Sequence, residues 1–215
     1  MSILDERLDT IYCINLNRRE DRWEQFKTLW DPLDLKIEKF SAVDAHNISF
    51  EEGSYRNDDE FHSKSSLACA LSHIQVLERA IYSGHKEILV LEDDAHPCQQ
   101  FKERFDVCYN QLPEDYNFCY LGGSNKYPPV RITENVGRAV HTKSTVAYLI
   151  KTEFAKPLVQ TVKDNLLKHA VDEIYKELQE HLVLHIFTPR LIHQFESYSD
   201  ILERDIYYHW MKDLD

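Results

Sequence analysis

No basic run longer than the Arg18-Arg19 pair occurs in the 215 residues, and the formal net charge is -12. Neutralising nucleic-acid phosphates needs clustered Lys and Arg, so no nucleic-acid partner is expected. Long apolar runs are missing too. The longest, around Glu87–Leu91 and Leu182–Phe187, fall far short of the ~20 residues that span a bilayer, and no transmembrane segment is expected. Asp5, Glu6, Arg7 and Asp9 precede the first apolar run, which is unlike a secretory signal. Cysteine is sparse and odd in number: Cys13, Cys69, Cys98, Cys108 and Cys119, with no CxxC pair. That spacing argues against a disulfide framework or a zinc knuckle, and a reducing, cytoplasmic location is the simplest reading. Only 5 Gly and 7 Pro are present, too few for a low-complexity linker.

What is there is apolar bulk. The hydrophobic fraction is 43%, with 10 Phe, 12 Tyr and 3 Trp, enough to offset chain entropy and bury a core. The length is that of one domain, residues 1–215. Short apolar runs alternate with amphipathic stretches, which gives an α/β class. Strands are expected at Thr10–Leu16, Lys36–Ala42, Glu87–Leu91, Asn117–Leu121, Val146–Ile150 and Val183–Phe187. Helices are expected at Arg19–Trp30, from Ser65 or Ser66 to about Tyr82 with Gly84 as its stop, and over about Gln99–Asn110. Two more are expected at Glu153–Val162, weakened by Pro157, and at Val171–His181. Asn47–Ser63 is polar and acidic and reads as a long surface loop.

The sharpest feature is Leu89-Val90-Leu91-Glu92-Asp93-Asp94-Ala95. A hydrophobic strand delivers three carboxylates at its C-terminal end, where open α/β sheets bind ligands. Their mutual repulsion is most easily offset by a divalent cation, and alternate residues of an extended segment would aim Glu92 and Asp94 at one ion. Such an ion can neutralise a diphosphate leaving group. An acidic turn is the competing reading, since Asp58-Asp59-Glu60 is a similar triplet in a polar loop. Context separates them, because Glu92 follows four apolar residues.

Asn15-Leu16-Asn17-Arg18-Arg19-Glu20-Asp21-Arg22 follows the first strand directly. Its guanidinium groups can contact a diphosphate or a base through fork-shaped hydrogen bonds, or simply pair with Glu and Asp at a helix start. Ser72-His73 lies inside a helix, where neighbours diverge by ~100°. The pair therefore cannot act as nucleophile and base, and packing or a hydrogen bond at a cleft wall fits it better.

In this order, the segments resemble glycosyltransferase family 25, which includes lipopolysaccharide and collagen galactosyltransferases. The matching pieces are INLNRREDR (Ile14–Arg22), SAVDA (Ser41–Ala45), ACALSH (Ala68–His73), LVLEDDA (Leu89–Ala95), YLGG (Tyr120–Gly123), VAYLI (Val146–Ile150), VDE (Val171–Glu173) and SDI (Ser199–Ile201). LEDD alone is weakly specific; the ordered set is strong and covers nearly the whole chain.

The resemblance implies a GT-A-like fold, a mixed and mainly parallel sheet flanked by helices, with a UDP-sugar and Mn²⁺ (or Mg²⁺) in one cleft. It implies Glu92-Asp93-Asp94 as the DXD-type motif, Glu92 and Asp94 on the metal and Asp93 on the donor. Asn15, Arg18, Arg22 and Asp44 would line the nucleotide pocket. Asp172 would be the general base of an inverting transfer, with Glu173 as a second candidate, and a late His would be a third metal ligand. His193 suits that role better than His185, which reads as a structural histidine.

The implied reaction moves galactose or glucose to a glycan or hydroxylysine-type hydroxyl, and a lipid-linked acceptor would bring peripheral membrane contact. A metal-dependent phosphoester or nucleotide-sugar hydrolase and a non-catalytic, transferase-like binding module are the alternatives. Two departures stand out: Ala68 replaces a frequent Gly, and the stretch after Asp172 is compact, which implies abbreviated acceptor-binding elements.

Overall fold

The computed structural model describes residues 3–49, 63–194, 197–199 and 204–206. The acidic triplet Asp58-Asp59-Glu60, most of the expected surface loop, and Asp200 and Ile201 of the SDI segment lie outside the described residues. In chain order the elements begin with α1 (Ile3–Arg7), β1 (Thr10–Asn15), α2 (Glu20–Trp30), β2 (Ile37–Ser41), α3 (Lys64–Tyr82) and β3 (Glu87–Glu92). Next come β4 (Ala95–Pro97), α4 (Phe101–Tyr109), β5 (Phe118–Asn125), β6 (Val130–Arg131), β7 (Val136–Arg138) and β8 (Thr142–Lys151). The last are α5 (Thr152–Asn165), α6 (Val171–Leu178), β9 (His185–Phe187), β10 (Ile192–Gln194), β11 (Ser197–Ser199) and β12 (Arg204–Ile206).

Eight strands form one sheet in the order β2-β1-β3-β8-β5-β9-β7-β6. Following the pairings across it, six strands run one way and only β7 and β8 are reversed. This is the mixed, mainly parallel sheet flanked by helices that the sequence led us to expect. Alternation along the strands explains how both faces are filled. Tyr12, Ile14, Ile88, Val90, Phe118, Tyr120, Tyr148 and Ile150 point to the face covered by α3, α5 and α6. Cys13, Leu89, Leu91, Cys119, Leu121 and Leu149 point to the other, where they meet Phe26 and Trp30 of α2 and Phe101 and Phe105 of α4.

The helix ends follow local chemistry. Ser63, rather than Ser65 or Ser66, caps α3, its Oγ accepting from Ser66 N at 3.1 Å. At the other end Gly84 takes φ 72, and Gly84 N and His85 N donate back to Ile81 O and Ala80 O, a left-handed stop that glycine adopts without a Cβ penalty. α5 continues through Pro157, because Ala155, Leu158, Val159 and Val162 bury one face of it and packing outweighs the lost hydrogen bond.

The structure adds α1, β6 and β7 to the elements expected from sequence and starts β8 at Thr142 rather than Val146; two further differences bear on the site. β5 runs through Gly122-Gly123 to Asn125 instead of ending there, with register irregularities at both glycines. The helix expected from about Gln99 begins at Phe101, because β4 precedes it and pairs antiparallel with β10. Three-residue strands carry no periodicity, so neither β4 nor β10 was visible in the sequence.

Gly122 is where β10 passes over β5. A Cβ there would lie 2.5 Å from Ile192 O and 3.1 Å from Val146 Cγ1. Gly122→Ala must therefore push the 191–194 segment off the sheet, and we expect a loss of about 1–3 kcal/mol in urea denaturation, the span of overpacked sites. Stability equal to that of the parent would mean that the close approach is not a constraint.

Candidate functional site

β3 ends at Glu92, and Asp93 and Asp94 form the turn that follows it. The three carboxylates are thus gathered by a turn and not by strand alternation. Asp93 and Asp94 are only 7% and 9% exposed, so each needs a partner. Arg22 from α2 supplies one to both: Nη1 lies 3.1 Å from Asp93 Oδ1 and Nη2 lies 2.9 Å from Asp94 Oδ2. The parallel pairing of β1 with β3 sets Ile14 opposite Glu92, which brings Asn15 to Asp93, and Asn15 Nδ2 donates to Asp93 Oδ2 at 2.7 Å. Burial still pushes both aspartates above the ordinary carboxylate range against the pull of Arg22. Asp94 Oδ1 is buried with no hydrogen-bond partner.

Glu92 faces a different wall. Thr145 Oγ1 of β8 donates to its Oε1 at 2.6 Å, and His73 Nε2 of α3 lies 3.3 Å from the same oxygen. Burial opposes its ionisation, yet His73, Thr145 and Arg22 together hold it below the usual value. His73 is 1% exposed, with Nδ1 2.9 Å from Tyr148 Oη. Its neighbour Ser72 accepts from Val43 N at 2.9 Å and donates to Ala68 O at 2.7 Å. The pair serves as a clamp on the cleft wall and not as a nucleophile with its base, as the helical spacing requires.

On the SAVDA side, Arg18 Nε donates to Asp44 Oδ2 at 3.0 Å, and Asp44 Oδ1 accepts from His46 N. Asp44 therefore positions Arg18. The backbone N–H and ring of His46, with Arg18, hold its carboxyl below the ordinary value against the opposing effect of burial.

Asp172 and Glu173 open α6 but have different surroundings. Glu173 pairs with both Lys143 and Lys176. Asp172 accepts a weak hydrogen bond from Ser144 N, 3.4 Å from Oδ2, and burial raises its carboxyl above the usual range. Ser144 takes φ 74, a left-handed conformation that non-glycine residues rarely adopt, and its Oγ donates to Gln194 Oε1 at 3.3 Å.

These groups share one cavity of ≈ 390 Å³. Of the residues singled out from the sequence, Arg18, Arg22, Glu92, Asp93, Asp94 and Asp172 line it. Asn15 and Asp44 stand behind that lining and hold Asp93 and Arg18. His185 is buried in β9, as a structural histidine would be. His193 is not among the lining residues. It sits opposite His96 in the β4–β10 pair, next to Gln194, which does face the cavity. Both its ring nitrogens are buried without partners, and burial lowers its pKa to about 4. Cys69 and His73 of the ACALSH segment line the cavity as well, and Thr145, Lys143 and Ser144, which also do, were not found from the sequence. Thr145 lies 53 positions from the carboxylate it serves, and no local pattern marks such a partner.

A family profile described as Glycosyltransferase family 25 (LPS biosynthesis protein) matches residues 8–143, well over half of the chain. A Drosophila melanogaster protein named Glycosyltransferase 25 family member is 29% identical over 169 residues, covering 71% of this chain and 28% of that protein. Human Procollagen galactosyltransferase 2 is 29% identical over 174 residues, covering 70% and 27%. The chain thus spans less than a third of the length of these curated relatives. Among solved structures, that titled A197 from STIV covers 86% of this chain and 85% of its own at 12% identity and a TM-score of 0.47, too loose a likeness to add to the fold described above.

Removing Arg22 would leave two buried aspartates without their cation. We expect Arg22→Ala to cost about 3 kcal/mol in urea denaturation near neutral pH, as for other broken buried pairs. Because a raised folded-state carboxyl pKa gives stability that is lost as pH rises through it, the deficit should be smaller at about pH 5 than at about pH 8. A deficit independent of pH would assign Arg22 to packing alone.

Proposed function

The chain belongs to glycosyltransferase family 25, and from that premise we propose that it is a metal-dependent, inverting glycosyltransferase of the cytoplasm. It takes galactose or glucose from a UDP-sugar and places it on a glycan or protein hydroxyl. The observation that carries this reading is the sharing of one cavity by the strand-end carboxylates, two arginines and, on another element, the half-buried Asp172. A galactose donor is supported by the name of the human relative, Procollagen galactosyltransferase 2. Among the described residues no helix is long and apolar enough to cross a membrane.

The donor set fits a hard divalent ion. Glu92 and Asp94 offer carboxylate oxygens, which suit Mn²⁺ or Mg²⁺, and Asp94 Oδ1 is a buried acceptor lacking a partner. One guanidinium among three carboxylates leaves negative charge for such an ion to balance. When bound, the ion would offset the charge that develops on the departing diphosphate. Arg18, held by Asp44, and Arg22, which bridges Asp93 and Asp94, are the guanidinium groups that would meet the diphosphate.

Asp172 is the general base in this reading. As the acceptor oxygen bonds to the anomeric carbon and the bond from that carbon to the diphosphate oxygen breaks, the hydroxyl proton passes to the Asp172 carboxylate. Its raised pKa suits a base, since proton affinity helps so long as the group stays ionised at working pH. Glu173, engaged by two lysines, is not free to do the same.

A panel of UDP-sugars with Mn²⁺, run with and without acceptors, tests the reading. Acceptor-dependent transfer supports it; breakdown of the donor without acceptor, or binding without turnover, contradicts it. Asp172→Asn keeps the size of the side chain and the contact from Ser144 N while removing basicity. We expect kcat to fall by roughly 10²–10⁴-fold with donor affinity and melting temperature little changed. Normal turnover would return Asp172 to a structural role.

A further inference from the structure

Two side chains in the cavity wall, Cys69 and His73, have no part in the transfer chemistry proposed above. Cys69 and His73 lie four positions apart on α3, hence on one face of that helix, and Glu92 meets them from the end of β3. Cys69 Sγ, a ring nitrogen of His73 and a carboxylate oxygen of Glu92 all lie within 4.8 Å of one another. Among the described residues this is the only group of three or more His, Cys, Asp and Glu side chains so placed. We propose that Cys69, His73 and Glu92 form a binding site for a soft divalent transition metal, of which zinc is the natural occupant.

The ligand types select the ion. A thiolate and an imidazole favour Zn²⁺ and Co²⁺ over Mn²⁺ and Mg²⁺, which prefer oxygen donors. Zinc–ligand lengths of about 2.0–2.3 Å place the ligand atoms of one tetrahedral ion about 3.3–3.6 Å apart, so small side-chain shifts bring this group onto an ion. Tyr148 Oη lies 2.9 Å from Nδ1 and can accept from Nδ1–H once an ion takes the place of the Nε2 proton now shared with Glu92. Such support from behind the ligand orients the ring and raises its basicity. All three residues line the cavity, so the fourth coordination position opens onto it. On binding, the Cys69 S–H bond breaks, the sulfur pair forms the metal bond and the proton leaves to buffer.

The site shares Glu92 with the proposed transferase ion, and Asp94 separates the two. The test titrates Co²⁺ into the reduced full-length chain and follows the thiolate-to-cobalt charge-transfer absorption in the near ultraviolet. We expect the band to saturate near about one equivalent and to be abolished by Zn²⁺, which binds more tightly. It should be absent in Cys69→Ser and retained in Asp94→Ala. A band missing from the parent chain, surviving in Cys69→Ser, or lost in Asp94→Ala overturns the proposal. The last result would place the ion at the carboxylate turn. A second measurement needs no variant: Zn²⁺ should slow maleimide labelling of Cys69, identified by mass spectrometry of its peptide, by at least about tenfold. Unchanged labelling of Cys69 likewise overturns it.

Discussion

Three consecutive carboxylates leave the end of β3 into a cavity wall largely closed to water, and much of the surrounding structure answers that repulsion. Unit charges about 4 Å apart interact by roughly 4 kcal/mol at the effective dielectric found near protein surfaces. Without compensation, the turn at Asp93-Asp94 would cost a large share of a domain's stability. Arg22 supplies the first compensation, and it reaches the turn only because β1 lies beside β3 and α2 follows β1 directly. The same register brings Asn15 to Asp93. Glu92 is held from the opposite side by Thr145 and His73. One guanidinium cannot neutralise three carboxylates, and that imbalance supports the divalent cation proposed for the site.

The balance also explains the different states of neighbouring acids. Asp93 and Asp94 are pushed up by burial, while Glu92 is held down by His73, Thr145 and Arg22 despite its burial. Across the cavity, Asp172 and Glu173 diverge for the same kind of reason. Two lysines hold Glu173 ionised, whereas burial and the neighbouring Glu173 charge raise Asp172 against the pull of Ser144 N–H and Lys143. Environment, not residue type, sorts these acids into those that hold charge and those able to take a proton.

Most of the sheet was legible because apolar periodicity is a local signal. The runs at Thr10, Glu87 and Val146 became β1, β3 and β8, and the spacing of Leu67, Ala70, Leu71, Ile74 and Leu77 became α3. The Gly122-Gly123 pair was visible as a break, but its purpose was not, since β10 comes from 70 residues away to cross it (Ile192 less Gly122). For the site, six residues singled out from the sequence, Glu92, Asp93, Asp94, Arg18, Arg22 and Asp172, line one cavity. It could not tell that Arg22 pairs with the acidic turn, that Asp44 positions Arg18, or that His193 stands off the cavity lining. Each depends on which side chains meet across the fold, and composition and spacing carry no such information.

The central claim is that the strand-end carboxylates hold the ion through which the donor's diphosphate is bound. Calorimetric titration of UDP into the protein, with Mn²⁺ and then with the metal chelated, addresses it most directly when repeated on Asp94→Ala. The account predicts binding that requires Mn²⁺ in the parent chain and is lost in the variant, with the variant's melting temperature close to that of the parent. UDP affinity that is equal with and without Mn²⁺, or unchanged by Asp94→Ala, would contradict it.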